Sequence, residues 1–365
     1  MRFLLFADLH LDTSFSAGSL PADVTGALRA ALRTTVERIT ALARSERVDA
    51  VLCGGDLYEQ ERFSPDTAEF LRDAFEDVAV PVYVAPGDDD WYGPRSPYRQ
   101  VAWSSNVHVF TEDHLVPEAL ADGMTLWGAA HLAPATAEGF LDGFEVGRGG
   151  VNLALFHGSD VAALSTQERG TAPFTAEQVE ISGLDHAFLG HNHTPSDAER
   201  HTYPGNPAPL VFGEGAPRGA VLCTVHDDGR VDRVRHDVSA GCLHDVAVDL
   251  TGTAHVDEAR ERVAAAVAGL TGVVRVTLGG EVGPDVDLAL ADLTPAAAHL
   301  DALVPRFGSL GVAYDFAALA EEPTVRGRFV RDVRADPRLD ADTRRRVLVT
   351  GLRALDGRTA DLAAH

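Results

Sequence analysis

The sequence predicts a layered α/β fold with a smaller α+β region at its C-terminal end. Three observations carry that prediction. Short apolar runs alternate with segments of helical periodicity through the first 90 residues. Further apolar runs with the same kind of ending recur to about residue 240, and beyond that point the character of the chain changes. Alternating strand and helix signals are the mark of a sheet covered by helices.

The elements follow in order. Residues 2–7 form an apolar run and read as a first, buried strand. Leu28, Leu32, Val36, Ile39, Leu42 and Ala43 recur at helical spacing and predict a helix over about 22–46. Ala50-Val51-Leu52-Cys53 predicts a strand that runs into Gly54-Gly55-Asp56, and a helix is expected over 66–77. Residues 80–85 predict a strand ending in Pro86-Gly87-Asp88. Residues 151–156 predict another that ends in His157-Gly158, and 186–189 one that ends in Gly190-His191-Asn192-His193. Strands are expected at 209–213, 219–226 and 230–237, the last two joined by a hairpin turn at Asp227-Asp228-Gly229. In the C-terminal region, strands at 244–250 and 273–278 flank a helix at 257–268, and 323–365 reads as mainly helical. The expected domains are 1–242 and 243–365, with no flexible linker and no internal repeat.

Composition narrows the function classes. The net charge is -24, and every basic residue is arginine. Residues 1–244 carry -19 of that charge, which repels phosphate backbones and counts against nonspecific nucleic-acid binding. Residues 323–365 hold ten arginines against six aspartates, which reads either as a solvated helix face or as a docking surface for nucleic acid or a partner. No apolar run approaches the roughly 18 residues that a membrane span needs. The first seven residues are too short an apolar stretch for a secretory signal, and Asp8 and His10 follow at once. Cys53, Cys223 and Cys242 are odd in number and far apart, so they predict neither a zinc site nor a disulfide framework. Reduced thiols in a cytoplasmic protein are the expectation.

Five apolar runs end in groups able to hold a metal or lying next to one: Asp8-Leu9-His10, Gly55-Asp56, Gly87-Asp88, His157-Gly158 and Gly190-His191-Asn192-His193. In α/β sheets ligands bind beyond the carboxyl ends of strands. A two-residue spacing in Asp8/His10 and His191/His193 aims both side chains of a pair at one point if the backbone is extended. Packing does not require ionisable groups at successive strand ends, and buried charges are costly unless paired or metal-bound. The set has carboxylates and imidazoles and no thiolate, which suits manganese, iron, zinc or cobalt rather than calcium.

These blocks resemble the signature of the calcineurin-like metallophosphoesterases, Asp-x-His, Gly-Asp, Gly-Asn-His-Asp, His-Gly, Gly-His-x-His, in four of its five parts, with Gly87-Asp88-Asp89-Asp90 at the third. Asp8-Leu9-His10-Leu11-Asp12, Gly54-Gly55-Asp56-Leu57-Tyr58, Tyr203-Pro204-Gly205-Asn206-Pro207, Glu214 and Arg218-Gly219 are similar to the SbcD/YhaO branch of DNA-repair exonucleases. Thr324-Val325-Arg326-Gly327-Arg328-Phe329 is similar to the C-terminal region of YhaO-like proteins. The resemblance implies a four-layer α/β/β/α sandwich with a C-terminal capping region. It implies two divalent metal ions, Mn²⁺ foremost. One would be held by Asp8, His10, Asp56 and His193 and the other by Asp56, Asp88, His157 and His191, with Asp56 bridging. It further implies DNA as substrate, an SbcC-like coiled-coil ATPase as partner, and a homodimer.

Three positions depart from that pattern, the mildest being Asp88, a carboxylate still able to bind metal where the family has asparagine. Asp89 stands where the family places a histidine thought to protonate or stabilise the reacting ester, and Glu59 stands where active nucleases of the branch often carry another. Both are candidate catalytic residues, and His108, His114 and His131 are candidates to replace the lost histidine. Three functions therefore compete at this level. They are a two-metal DNA phosphodiesterase, a weak or inactive metal-binding subunit that docks a repair ATPase, and a phosphoesterase for small molecules.

Overall fold

The computed structural model describes residues 1–15, 20–134, 139–164, 170–215 and 217–358. The chain divides into two compact units, Met1–Cys242 and Leu243–His365.

The first unit holds β1 (Arg2–Phe6), α1 (Ala22–Glu46), β2 (Ala50–Cys53), α2 (Pro65–Glu76), β3 (Val82–Val84), α3 (Pro97–Gln100) and β4 (Val107–Val109). There follow β5 (Val116–Ala121), β6 (Met124–Gly128), β7 (Val151–His157), α4 (Ala176–Ile181), β8 (His186–Gly190), β9 (Ser196–Asp197), β10 (His201–Tyr203), β11 (Ala220–Val225) and β12 (Val231–His236). Two six-stranded sheets result, in the orders β12-β11-β1-β2-β3-β4 and β5-β6-β7-β8-β10-β9. Parallel pairing of β1 with β2, β2 with β3 and β3 with β4 puts their carboxyl ends on one edge. The same holds for β6, β7 and β8 in the second sheet.

Alternation along the strands explains the layering. Phe3 and Leu5 of β1 and Ala50 and Leu52 of β2 share a core with Leu153 and Leu155 of β7 and Phe188 of β8. The two sheets therefore pack face to face. The intervening residues point outward. On the second sheet Ala154, Phe156, Ala187 and Leu189 form another cluster with Val179 of α4. On the first, Phe6 meets Phe75 of α2 with ring centroids 6.4 Å apart. Helix α1 buries Leu28, Leu32, Val36 and Ile39, the stripe its periodicity predicts. Each such side chain contributes roughly 1.5–3 kcal/mol of burial.

Residues 209–213 are not a strand. They form a turn wrapped around Glu214, whose carboxylate accepts the backbone N–H groups of Leu210 (2.7 Å) and Val211 (3.2 Å). A local side-chain acceptor has outcompeted a ladder partner there.

The second unit is built on three parallel strands, β13 (Leu243–Asp249), β14 (Val273–Val282) and β15 (Ala302–Val312), with β14 in the middle. Helix α5 (Val256–Val267) makes the crossover from β13 to β14. Helices α6 (Phe316–Glu321), α7 (Val325–Ala335) and α8 (Ala341–Leu355) follow, and Val330, Leu348 and Leu352 join Val263, Val276 and Leu310 in its core. Residues 359–365 of the expected helical tail lie outside the described residues.

The arginines of that tail are mostly turned onto their own unit. Arg326 pairs with Asp356 at 3.1 Å, Arg338 with Asp336 at 2.7 Å and Arg358 with Asp285 at 2.8 Å. Arg345 pairs with Glu281, and Arg331, Arg334 and Arg344 donate to main-chain carbonyls. The local excess of positive charge is thus largely matched by nearby acceptors rather than displayed as a free basic face. No helix among the described residues is long and apolar enough to cross a membrane.

Candidate metal centre

The carboxyl ends of β1, β2, β3, β7 and β8 meet at one place, and the chain is tightly bent there. Asp8, His10, Asp56 and His191 all take positive φ values, 56°, 46°, 52° and 99°. Non-glycine residues adopt that conformation when the surroundings hold them in it. Asp8 and His10 are held by backbone bonds to Gly55 (3.0 Å) and Asp56 (2.9 Å), and the His191 N–H donates to Asp8 Oδ1 at 2.9 Å. The sheets touch here. A Cβ on Gly54 at the tip of β2 would come within 2.7 Å of the Gly190 nitrogen at the tip of β8.

Four triads of donors have their atoms within 4.8 Å of one another: Asp8, His10 and His193; Asp8, Asp56 and His157; Asp88, His157 and His191; and His10, Glu59 and Asp89. Asp56 Oδ2 lies 3.7 Å from His10 Nε2 and 3.3 Å from His157 Nε2, between the first and third triads. All seven residues expected to hold metal are therefore gathered in one cluster. The pairing differs from the expectation of extended backbone. Asp8 and His10 do converge, but through left-handed turns, whereas His191 faces Asp88 (3.6 Å) and His193 faces His10 (3.1 Å). A two-residue spacing thus separates that pair between the two triads.

Buried polar atoms test whether this set fits cations. Asp8 Oδ2 and His157 Nε2 are buried without a hydrogen-bond partner. His157 Nδ1 donates to the Gly54 carbonyl at 2.8 Å, which turns its Nε2 toward the carboxylates of Asp56 and Asp88. Polar atoms left without a partner are costly in a protein interior. A divalent ion in each triad would satisfy them, and the mixed oxygen and nitrogen donors suit a transition metal.

The electrostatics agree with a strongly anionic cluster. Burial by itself would depress His10, but the hydrogen bond to Glu59 and the charges of Asp56, Asp8 and Asp89 lift it to about 9. Burial likewise opposes the charged form of His157, and Asp56 and Asp88 raise it well above the usual histidine range. Burial would raise Asp88, yet its contacts with His157 and His191 pull it far below the usual carboxylate range. Protons are being held where positive charge is wanted.

The remaining candidates fall into distinct places. Glu59 Oε1 lies 3.1 Å from His10 Nδ1, on the side of the ring away from His193. Asp89 is about half exposed, with Oδ2 3.6 Å from His10 Nδ1. Partial burial and Asp56 push its carboxyl up to about 6. His108 stacks on Tyr83, and His114 is exposed beside Asp113. His131 is buried next to His157, donates through Nε2 to the His157 carbonyl at 2.8 Å, and is pushed down to about 4 by burial and by His157. It is neutral at pH 7 and already engaged.

Sequence reasoning passed over the parts behind the donors. Asp90 is fully buried and accepts from the N–H groups of Asp56 (3.0 Å), Leu57 (2.8 Å) and Gly87 (2.6 Å) and from the Tyr98 hydroxyl. It ties the β2 and β3 tips together. Thr171 donates to Asp88 Oδ2 at 3.0 Å. The run of three aspartates was the available signal for Asp90, but nothing in it separated the member that faces inward.

A parallel-strand tip cluster of this composition, set between two stacked sheets, defines a metallophosphoesterase. Residues 1–195 match the family described as calcineurin-like phosphoesterases, more than half of the chain, and the chain belongs to that family. It is similar to the uncharacterized metallophosphoesterase YhaO of Bacillus subtilis (strain 168), 28% identical over 242 residues, which cover 62% of this chain and 57% of YhaO. The chain thus spans little more than half the length of that relative. Among solved structures, TT1561 of Thermus thermophilus aligns with 64% of this chain and 98% of its own at 12% identity, with a TM-score of 0.38. A dimetal phosphatase from Danio rerio aligns with 65% of this chain and 96% of its own, also at 12% identity and a TM-score of 0.38.

Proposed function

We propose that this chain is a two-metal phosphodiesterase whose substrate is DNA. The observation that carries the two-metal part is the position of Asp56, one carboxylate facing both His10 and His157. Asp8, His10, Asp56 and His193 would hold one ion and Asp56, Asp88, His157 and His191 the other. Two such ions, when bound, activate water and neutralise charge on a phosphoryl oxygen. The chain's own part is to fix the donors. The Gly54 carbonyl sets the His157 tautomer, the His191 N–H holds Asp8, and Asp90 locks the tips of β2 and β3. The likeness to the SbcD/YhaO branch supports DNA.

A second reading, a phosphoesterase for compact substrates, is favoured by the mouth of the site. A cavity of about 210 Å³ opens beside His10 and His193. Its acidic lining is Glu59 and Asp89, with no arginine among its described residues to receive a polyanion. The test is turnover with Mn²⁺ of linear and single-stranded DNA beside bis(p-nitrophenyl) phosphate and mononucleotides. DNA degradation that is abolished by EDTA and by Asp56→Asn supports the first reading. Hydrolysis of the compact esters alone supports the second, and metal-loaded protein inert toward every substrate rejects both.

A further inference from the structure

The two donor groups are backed differently. His10 meets Glu59 through Nδ1 at 3.1 Å, and His193 meets Glu214 through Nδ1 at 3.3 Å. A carboxylate accepts, so each Nδ1 donates to its glutamate and each Nε2 is the ring atom turned toward the donor group. Those two Nε2 atoms lie 3.1 Å apart. That gap holds either a shared proton or a cation ligated by both Nε2 atoms. Of the two histidines in the other group, His157 is backed by a neutral carbonyl, that of Gly54.

Glu214 is itself rigidly held. Besides the Leu210 and Val211 N–H groups, it accepts from Asn206 Nδ2 at 2.8 Å. Burial alone would raise its carboxyl, but these contacts and His193 hold it down near the bottom of the carboxylate range, at about 2. Arg218 closes the assembly, donating to the carbonyls of His193 (2.7 Å) and Glu214 (3.1 Å) and to the side chain of Asn206. The segment Tyr203-Pro204-Gly205-Asn206-Pro207, with Glu214 and Arg218, is therefore a brace behind His193. That gives a physical role to residues which the sequence alone marked only by resemblance.

We infer that Glu59 and Glu214 are positioning residues that make the two metal sites unequal, the Asp8–His10–His193 site binding its ion more tightly and filling first. A carboxylate behind a ligating imidazole fixes its tautomer and raises its basicity, and removing such a partner typically weakens metal affinity about 10–100-fold. Glu59 on this account acts through His10 rather than on the reacting atoms. The inference rests on the two-metal reading above but not on the identity of the substrate.

Calorimetric titration of metal-stripped protein with Mn²⁺ tests it without any turnover. Wild-type protein should show two resolved steps. Glu59→Gln and Glu214→Gln should each weaken the tighter step by about 10–100-fold and leave the weaker step within experimental error. Asp88→Asn should do the reverse. Melting of the metal-stripped variants separates positioning from scaffolding. A purely structural role would lower the stripped protein's melting temperature and weaken both steps together, which overturns the inference. Two equal steps in wild type, or a tighter step untouched by both glutamate variants, also overturns it while leaving the two-metal reading standing. Absence of any binding removes both.

Discussion

On the proposed phosphodiesterase reading, Asp89 limits how well the site works. Where the resemblance leads one to expect a histidine, it presents a half-exposed carboxyl that partial burial and Asp56 push up to about 6. Cations beside it would oppose that shift and favour the ionised form. No other described group takes over proton donation. His131 is neutral and bonded to the His157 carbonyl, His108 and His114 lie outside the donor groups, and Glu59 is bonded to His10 Nδ1. Asp89→His should therefore raise turnover of phosphodiesters, by roughly 10²–10⁴ if proton donation limits the rate. Steady-state kinetics at saturating Mn²⁺ measures this, and an unchanged rate contradicts the assignment. At this scale the metal-capable residues were legible because each ends an apolar run. Asp90 and Glu214 were not, because their work is done through backbone N–H groups and an imidazole that only the folded chain brings near.

At the scale of elements, the close approach of two strand tips carries the site. With Gly54 and Gly190 in contact across the sheets, Gly54→Ala should cost about 1–3 kcal/mol of stability by overpacking, and should weaken metal binding as well. Urea denaturation and calorimetry give the two values. The β8 strand also carries a pH signature. His186 is buried at its start, bonded to Thr202, and burial together with Arg233 pushes it down to about 3. The unfolded chain takes up a proton near pH 6.5, and the folded chain resists it. This contribution to stability is thus full above pH 6.5 and declines as pH falls toward 3. The urea midpoint should fall between pH 6.5 and 5, and His186→Gln should make that slope shallower. Buried β6 was passed over, whereas the long helices were readable from their periodicity and β1, β2, β3, β7 and β8 from their apolar runs. Strand β15 was not, because Pro305, Gly308 and Gly311 interrupt it. An edge strand tolerates them, since one side of its backbone has no ladder to complete. The expected strand at 209–213 failed for the opposite reason, a run of apolar residues whose N–H groups are taken by Glu214.

For the whole molecule, the net charge of -24 is most consequential where carboxylates crowd together. Asp8, Asp56, Asp88, Asp89 and Glu59 repel one another and are balanced only in part by protonated histidines. Divalent ions convert that repulsion into binding energy for the folded state. At Mn²⁺ concentrations about 100-fold above the dissociation constant, stability should rise by roughly 2.7 kcal/mol per site, visible as a melting point higher by about 5–10 °C. Differential scanning calorimetry of stripped protein, with and without Mn²⁺, checks it. The most direct test of the two-metal claim is anomalous diffraction from crystals soaked in Mn²⁺. The account predicts two peaks, one among Asp8, His10 and His193 and one among Asp88, His157 and His191, with the Asp56 carboxylate between them. A single peak, or density away from these side chains, would contradict it.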